Sequence, residues 1–302
     1  MARMAERYIN PHTDFGFKRL FGSEFNKELL ISFLNAIFGG KENVRDVKYL
    51  NSEHLGERIE SRRAIFDVYC ENDKGEKYIV EMQNVYQQFF KDRTVYYSTF
   101  PIREQAARGD EWDFRLNSVY TVGLLNFIFE DDNDGTSSLE CPWHHEVKLV
   151  DIDRNTIFYD KLTYIYEEIP KFNKTEEQLA TMFDKWMYVL RNLSRLMERP
   201  AALQERVFTR LFEQAEIAKF NARELRQYED DLKAYRDIAN AIRTAENLKY
   251  AEGRAEGIAE GRAEGIAEEK KNTARKLLAL GTPADTITQV TGLTNEEIAK
   301  LN

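Results

Sequence analysis

The sequence predicts an α/β head with the element order αβββαβ, followed by a long α-helical C-terminal extension. Three observations carry this prediction. Apolar residues at helical spacing over residues 24–38 precede a set of short β-rich runs. The nearly continuous apolar run SVYTVGLLNFIF, residues 118–129, has the composition of a central strand covered on both faces and reached by a helical crossover. Beyond Pro170 the pattern is helical, with no proline between Pro200 and Pro283 and no glycine from 136 to 252.

Each element follows from local chemistry. Phe25, Leu29, Leu30, Phe33, Leu34, Ile37 and Phe38 recur along one helical face, and Gly39-Gly40 supplies a left-handed stop. Residues 44–50 alternate weakly, as a strand does. Residues 64–70 and 77–83 are β-rich and flank Glu71-Asn-Asp-Lys-Gly-Glu76, whose turn chemistry predicts a hairpin. Residues 87–108 return to helical spacing, with a kink expected at Pro101 and a stop at Gly109. Weaker strand signals cover 146–152 and 162–169, and residues 175–197 and 203–248 suit long helices.

Residues 251–270 repeat as AEGR-AEGI-AEGR-AEGI-AEEK. Each of the glycines at 253, 257, 261 and 265 costs about 1 kcal/mol relative to alanine in a helix, so a marginal helix and a flexible stalk fit equally well. Thr282-Pro283-Ala284-Asp285 places proline at a first helical position, and Thr294-Asn295-Glu296-Glu297 is a capping box. With Gly281 and Gly292 as stops, residues 273–301 read as three short helices of helix-turn-helix type, a pattern that also caps any small helical bundle.

A chain of 302 residues suggests about two domains. Of its 37 Phe, Tyr and Trp residues 34 lie within residues 1–220, so the packed core is expected to end near there. The net charge of −9, from 43 basic and 52 acidic residues, excludes a surface that attracts nucleic acid everywhere but leaves room for a local basic groove. Two cysteines, Cys70 and Cys141, are too few for a disulfide framework and point to a reducing, cytoplasmic setting. No apolar run approaches the roughly 18 residues of a membrane span, and residues 1–11 lack the apolar stretch of a signal peptide.

The hairpin carries the anomaly. Its strands are apolar, yet each has an acid in its middle: Asp67 in one, Glu81 in the other. If the turn centres on Lys74, residues whose numbers sum to 148 face each other, and Asp67 then opposes Glu81. Directly opposed side chains have Cβ atoms about 4.5–5.5 Å apart, a repulsive arrangement for two carboxylates unless something cationic sits between them. Gln83 shares the face of Glu81. Two hard oxygen ligands beside an amide suit Mg²⁺ or Mn²⁺, which polarises a phosphate and activates water for in-line attack. A solvated face, with the acids paired to Arg62, Lys77 or Lys91, fits the spacing as well. Lys91 and Arg93 are suitably placed for phosphate or for a solvated helical face. Cys141-Pro-Trp-His144-His145 lacks the second ligand pair of a zinc site. Tyr96 and Tyr97, beside Phe89, Phe90 and Phe100, read as core before they read as base-stacking residues.

These elements resemble the restriction-endonuclease-like core of the PD-(D/E)XK nuclease superfamily, and in detail its Rpn family of recombination-promoting nucleases and transposases. The matching stretches are Asp14-Phe-Gly-Phe-Lys-Arg-Leu-Phe-Gly22, Phe66-Asp-Val68, Ile79-Val-Glu-Met-Gln83, Arg93 with Tyr96-Tyr97-Ser98, Pro101-Ile-Arg-Glu-Gln105 and the AEGR-type tail. The resemblance implies metal-dependent endonuclease cleavage of DNA, with Mg²⁺ or Mn²⁺ held by Asp67, Glu81 and the main-chain carbonyl of Met82. It implies a catalytic role for Gln83, which stands where many relatives have lysine, and for Asp14, which otherwise reads as an N-cap or turn residue. On this reading the chain divides into a nuclease-like domain (1–170), a helical extension packing on it (171–250), a repeat stalk (251–271) and a helix-turn-helix-like tail (272–302). DNA is the expected partner, with a homodimer through the C-terminal helices. A catalytically weak scaffold that keeps the fold, and a helical interaction protein with a globular head, are the alternatives.

Overall fold

The computed structural model describes residues 6–54, 64–106, 113–129 and 143–301. Helix α1 (Asp14–Phe21) is capped by Thr13, whose hydroxyl accepts the Gly16 amide at 3.0 Å, and buries Phe15, Phe17, Leu20 and Phe21. Helix α2 (Lys27–Phe38) buries Leu29, Leu30, Phe33, Leu34, Ile37 and Phe38, and Gly39 ends it in the left-handed region at φ +55°. Residues Glu24–Asn26 form a separate 3₁₀ turn ahead of it. Its tighter winding takes Phe25 off the apolar stripe, so this ring lies exposed beneath the Arg210 guanidinium.

Strands β1 (Val47–Tyr49), β2 (Glu53–His54), β3 (Ala64–Ile65), β4 (Val68–Asn72) and β5 (Lys77–Gln83) follow. Helix α3 (Phe90–Glu104) crosses over to β6 (Val119–Leu125), and β7 (His144–Asp151) pairs with β8 (Thr156–Glu168). Six strands form one sheet in the order β1-β4-β5-β6-β8-β7, with β6 parallel to both β5 and β8. Every residue of β6 is buried, as its unbroken apolar run predicts. Below one face lie α1, α2, α4 (Met182–Asn192) and α5 (Arg206–Ala215), packed on Val68, Cys70, Tyr78, Val80 and Val122. On the other face α3 is tied to β8 by hydroxyl pairs, Thr94 to Tyr166 and Ser98 to Tyr164, each at 2.8 Å. The architecture is a mixed α/β core built on a six-stranded sheet, with a long C-terminal helix.

Four expectations need correction. The stretch 64–70 is not one strand: Ala64–Ile65 pairs with Glu53–His54, and the chain bends at Asp67 before entering the main sheet at Val68. The helix expected over 203–248 breaks at 216–221, where the amino-terminal segment intrudes: Ile9 donates to Ala215 O and Ile217 to Arg7 O, both at 3.0 Å. The Ala215 carbonyl and the Ile217 amide, satisfied across the chain in this way, no longer need helical partners. Helix α3 continues through Pro101 and ends at Glu104, ahead of Gly109, which lies outside the described residues. The core also extends past residue 220, because Tyr228 is buried against Phe15 and Phe220.

Helix α6 (Ala222–Ala279) runs without interruption through the four glycines of the repeat. Alanine and glutamate, with arginine alternating with Ile258 and Ile266, fill the remaining repeat positions, and the alanine, glutamate and arginine offset the cost of the glycines by their helix propensity. The chain separates into one compact unit ending at Tyr235 and another beginning at Arg236. In the second unit, the end of α6 joins α7 (Ala284–Thr291) and α8 (Asn295–Ala299) around Ala274, Ile287, Leu293 and Ile298. The expected capping box at Thr294 and Glu297 forms, and Gly281 and Gly292 stop their helices at φ +74° and +71°. Pro283 is the N-cap of α7 rather than its first residue, and the first of the three expected short helices is the end of α6. No described helix is long and apolar enough to cross a membrane.

Candidate active site

The hairpin turn sets the site. Asn72 folds its side-chain oxygen over the turn to accept the amides of Lys74 and Glu76, each at 3.0 Å, and Gly75 takes φ +77°. The ladder then pairs Glu71 with Lys77, Cys70 with Tyr78, Tyr69 with Ile79 and Val68 with Val80, each summing to 148 as the turn predicts. Asp67 comes one residue beyond the last pair. Instead of continuing the ladder, its amide donates to Glu81 Oε1 at 3.3 Å, and its own Oδ2 accepts the Met82 amide at 2.8 Å. The two acids are thus locked to each other's backbone at the end of the ladder.

Strand alternation decides what surrounds them. In β5 Tyr78 and Val80 face the large core, while Ile79 packs with Phe66, Tyr69, Tyr97 and Phe100 on the α3 side. Glu81 and Gln83 share the side of Ile79, by the period of two. Glu81 is only 9% exposed. Burial, and then the charge of Asp67, push its carboxyl up to about 8, against the opposing pull of Arg93 and Lys18. Asp67 is shifted upward too, first by burial and then by the charge of Asp14, while the Met82 amide, Lys18 and Arg93 work the other way. Two adjacent carboxylates that resist ionisation bind a cation readily, since the ion relieves both burial and repulsion.

The expected cation beside the pair is Arg93, in the first turn of α3. Its guanidinium lies 3.6 Å from Glu81 Oε2, donates to Gln83 Oε1 at 3.4 Å and to Gln87 Oε1 at 3.2 Å, and stacks over the Tyr97 ring at 4.9 Å. Gln83 spends its amide hydrogens on Val85 O at 3.1 Å. Lys77 pairs with Glu71, and Lys91 sits over the Phe129 ring at 5.2 Å; Arg62 lies outside the described residues. Asp14 is the first residue of α1, not its cap, and binds Lys18 one turn on at 2.8 Å.

Second-line contacts hold α1 against the site. Asn84, directly after β5, donates to His12 O at 2.6 Å, and Asp231 Oδ2 accepts the Phe15 amide at 2.8 Å. The imidazole of His12 is buried and pairs with Leu190 O at 3.0 Å. Lys18, His12 and Asp231 were not singled out from the sequence. For Lys18 a signal existed: its position four residues after Asp14 puts both on one helical face. His144 and His145 pair with Glu167 and Glu168 at 2.8 and 3.1 Å, and Cys141 lies outside the described residues.

Residues 11–245 match the family described as PD-(D/E)XK nuclease family transposase. The chain belongs to that family. Residues 267–302, which form the end of α6, α7 and α8, match the model described as Rpn/YhgA-like nuclease family, C-terminal HTH domain. No curated protein and no solved structure matches the chain.

The donor set of this PD-(D/E)XK member suits a divalent metal. Asp67 and Glu81 offer hard carboxylate oxygens in a poorly solvated position. The Met82 amide points to the Asp67 edge of β5, and its carbonyl leaves on the same edge, as the two groups of a strand residue do. Among the described residues no group of three or more His, Cys, Asp or Glu side chains is arranged to hold a metal ion.

Proposed function

We propose that the chain is a metal-dependent DNA endonuclease that hydrolyses phosphodiester bonds. The reading rests on one observation: the reciprocal bonds of Asp67 and Glu81, which hold two acids together at the buried end of an otherwise apolar hairpin. A solvated pair of acids would gain nothing from such placement, whereas a metal site requires it. Asp67, Glu81 and the Met82 carbonyl would hold Mg²⁺ or Mn²⁺, which when bound supplies the Lewis acidity that polarises the phosphate. Gln83 and Arg93 line the same side of β5 and orient the phosphate and water, and the charges of Asp14 and Lys18 act on the pair from α1. The helix-turn-helix domain supports DNA as the substrate, and with it a cytoplasmic setting. Cutting both strands with one site per chain would use two copies, for which the C-terminal helices are the proposed contact.

A second reading has its own support. Gln83 offers no charge to a pentavalent phosphate, which favours a DNA-binding scaffold with weak or no turnover. Incubating supercoiled plasmid with the protein and with Asp67→Ala, in Mg²⁺, Mn²⁺ or EDTA, separates the two. The nuclease reading expects metal-dependent nicking by the wild type and at least a hundredfold loss in the variant. Equal nicking by both proteins, or none by either, overturns it.

A further inference from the structure

We infer that Arg93 supplies the fixed positive charge at the scissile phosphate that residue 83 does not, and that Gln83 serves to position it. The inference rests on the nuclease reading above.

Negative charge grows on the phosphate as the attacking oxygen approaches, and a preorganised cation stabilises that charge best when it is already held in place. Gln83 projects to the right side of β5 but is neutral, and its amide nitrogen is engaged by Val85. Among the described residues the candidate cations are Lys18, Lys91 and Arg93. Lys91 is drawn over Phe129. Lys18 is bound by Asp14 on its own helix. Arg93 alone of the three has its charged group beside both Glu81 and Gln83.

Its setting is that of a held, accessible donor. Tyr97 supports the guanidinium from its ring face, and Gln83 and Gln87 each accept from Nη1. The Nη2 atom, at 3.6 Å from Glu81, is beyond a tight hydrogen bond, so it is attracted to the acid without being consumed by it. The side chain is 32% exposed, so the fork can meet a ligand from solvent. A planar fork matches phosphate oxygens in pairs, which a lysine at 83 would do only as a point charge.

The test compares wild type, Arg93→Gln, Arg93→Lys and the double variant Gln83→Lys/Arg93→Gln, with a thermal melt of each to confirm folding. Arg93→Gln keeps a polar side chain and removes the charged guanidinium that lies over Tyr97. Plasmid nicking in Mg²⁺ or Mn²⁺ is expected to fall about a hundredfold or more in Arg93→Gln, in the range seen when one such donor is removed. Arg93→Lys is expected to keep an intermediate rate, and the double variant to recover at least tenfold over Arg93→Gln. Duplex affinity, measured by anisotropy in Ca²⁺ over a range of salt, is expected to show a log–log slope smaller by about one in Arg93→Gln. Nicking by Arg93→Gln at the wild-type rate overturns the inference, as does a lost rate that the double variant does not restore together with an unchanged salt slope. If the wild type does not nick, the nuclease reading fails by itself; a reduced slope then keeps Arg93 as a phosphate contact, and an unchanged slope removes that too.

Discussion

Glu81 accepts the backbone amide of Asp67 at 3.3 Å while Asp67, through Oδ2, accepts the amide next to Glu81 at 2.8 Å. Each acid is therefore held by the other's strand, and neither can turn away to relieve the repulsion between them. Such a pair is a cost to the fold that a bound cation would remove.

That cost predicts opposite effects with and without metal. In EDTA at a pH above 8, where the raised Glu81 carboxyl is ionised, Glu81→Gln is expected to melt at or above the wild-type temperature, because one buried charge is gone. At a Mn²⁺ concentration a hundredfold above Kd the wild type is expected to gain about 2.7 kcal/mol and the variant almost none. Equal metal-induced shifts in the two melting curves would remove Glu81 from the ligand set.

His12 makes stability depend on acid. Burial lowers its pKa from 6.5 to about 4, against the hydrogen bond to Leu190. Because the unfolded chain takes up the proton first, the folded state loses stability as pH falls from 6.5 toward 4 and keeps it above 6.5. Urea titrations at pH 7 and pH 5 are expected to differ by about 2 kcal/mol through this group. In His12→Gln, whose amide can still donate to Leu190 O, that difference should shrink by the same amount; an unchanged difference would assign the acid sensitivity elsewhere.

Gly75 sets the hairpin register. At φ +77° a side chain is strained, and a Cβ there would come 2.8 Å from the Asn117 amide nitrogen. Gly75→Ala is expected to lower the unfolding free energy by about 1–2 kcal/mol in urea, with an unchanged slope. A neutral result would mean that the turn is set by Asn72 alone.

The repeat glycines act through backbone entropy. Nothing lies within 4 Å of a Cβ built at 253, 257, 261 or 265. Alanine at each is expected to raise the local opening free energy of α6 by about 0.5–1 kcal/mol, read by amide hydrogen exchange over 250–268. Unchanged protection would show that this segment opens for a reason other than its glycines.

Much of the fold was legible because it is written in local patterns. The helical stripe from Leu29 to Phe38, the buried run of β6, the Thr294 capping box and the turn around Lys74 each depend on neighbours a few residues apart. The break at 216–221 was not legible, since its partners are Arg7 and Ile9, some two hundred residues away. Nor was the bend at Phe66-Asp67, where a strand-like composition yields to a side chain that bonds across to Met82. Phe25 shows the same limit on a smaller scale: apolar spacing placed it on the helix, and a single 3₁₀ turn moved it off.

By itself the sequence determined the α/β order, the register that brings residues 67 and 81 to one place, and the acids that stand there. Only the tertiary structure decided which cation faces them. Lys18 lies on α1, Lys91 and Arg93 lie two residues apart in the first turn of α3, and their charges are alike in sequence. Packing separates them: Phe129 takes Lys91, Asp14 takes Lys18, and the crossover of α3 over the sheet carries Arg93 onto Tyr97, beside Glu81 and Gln83. Coulombic attraction falls with distance and with exposure to water, so a residue's type declares a charge but its packing decides what that charge acts on.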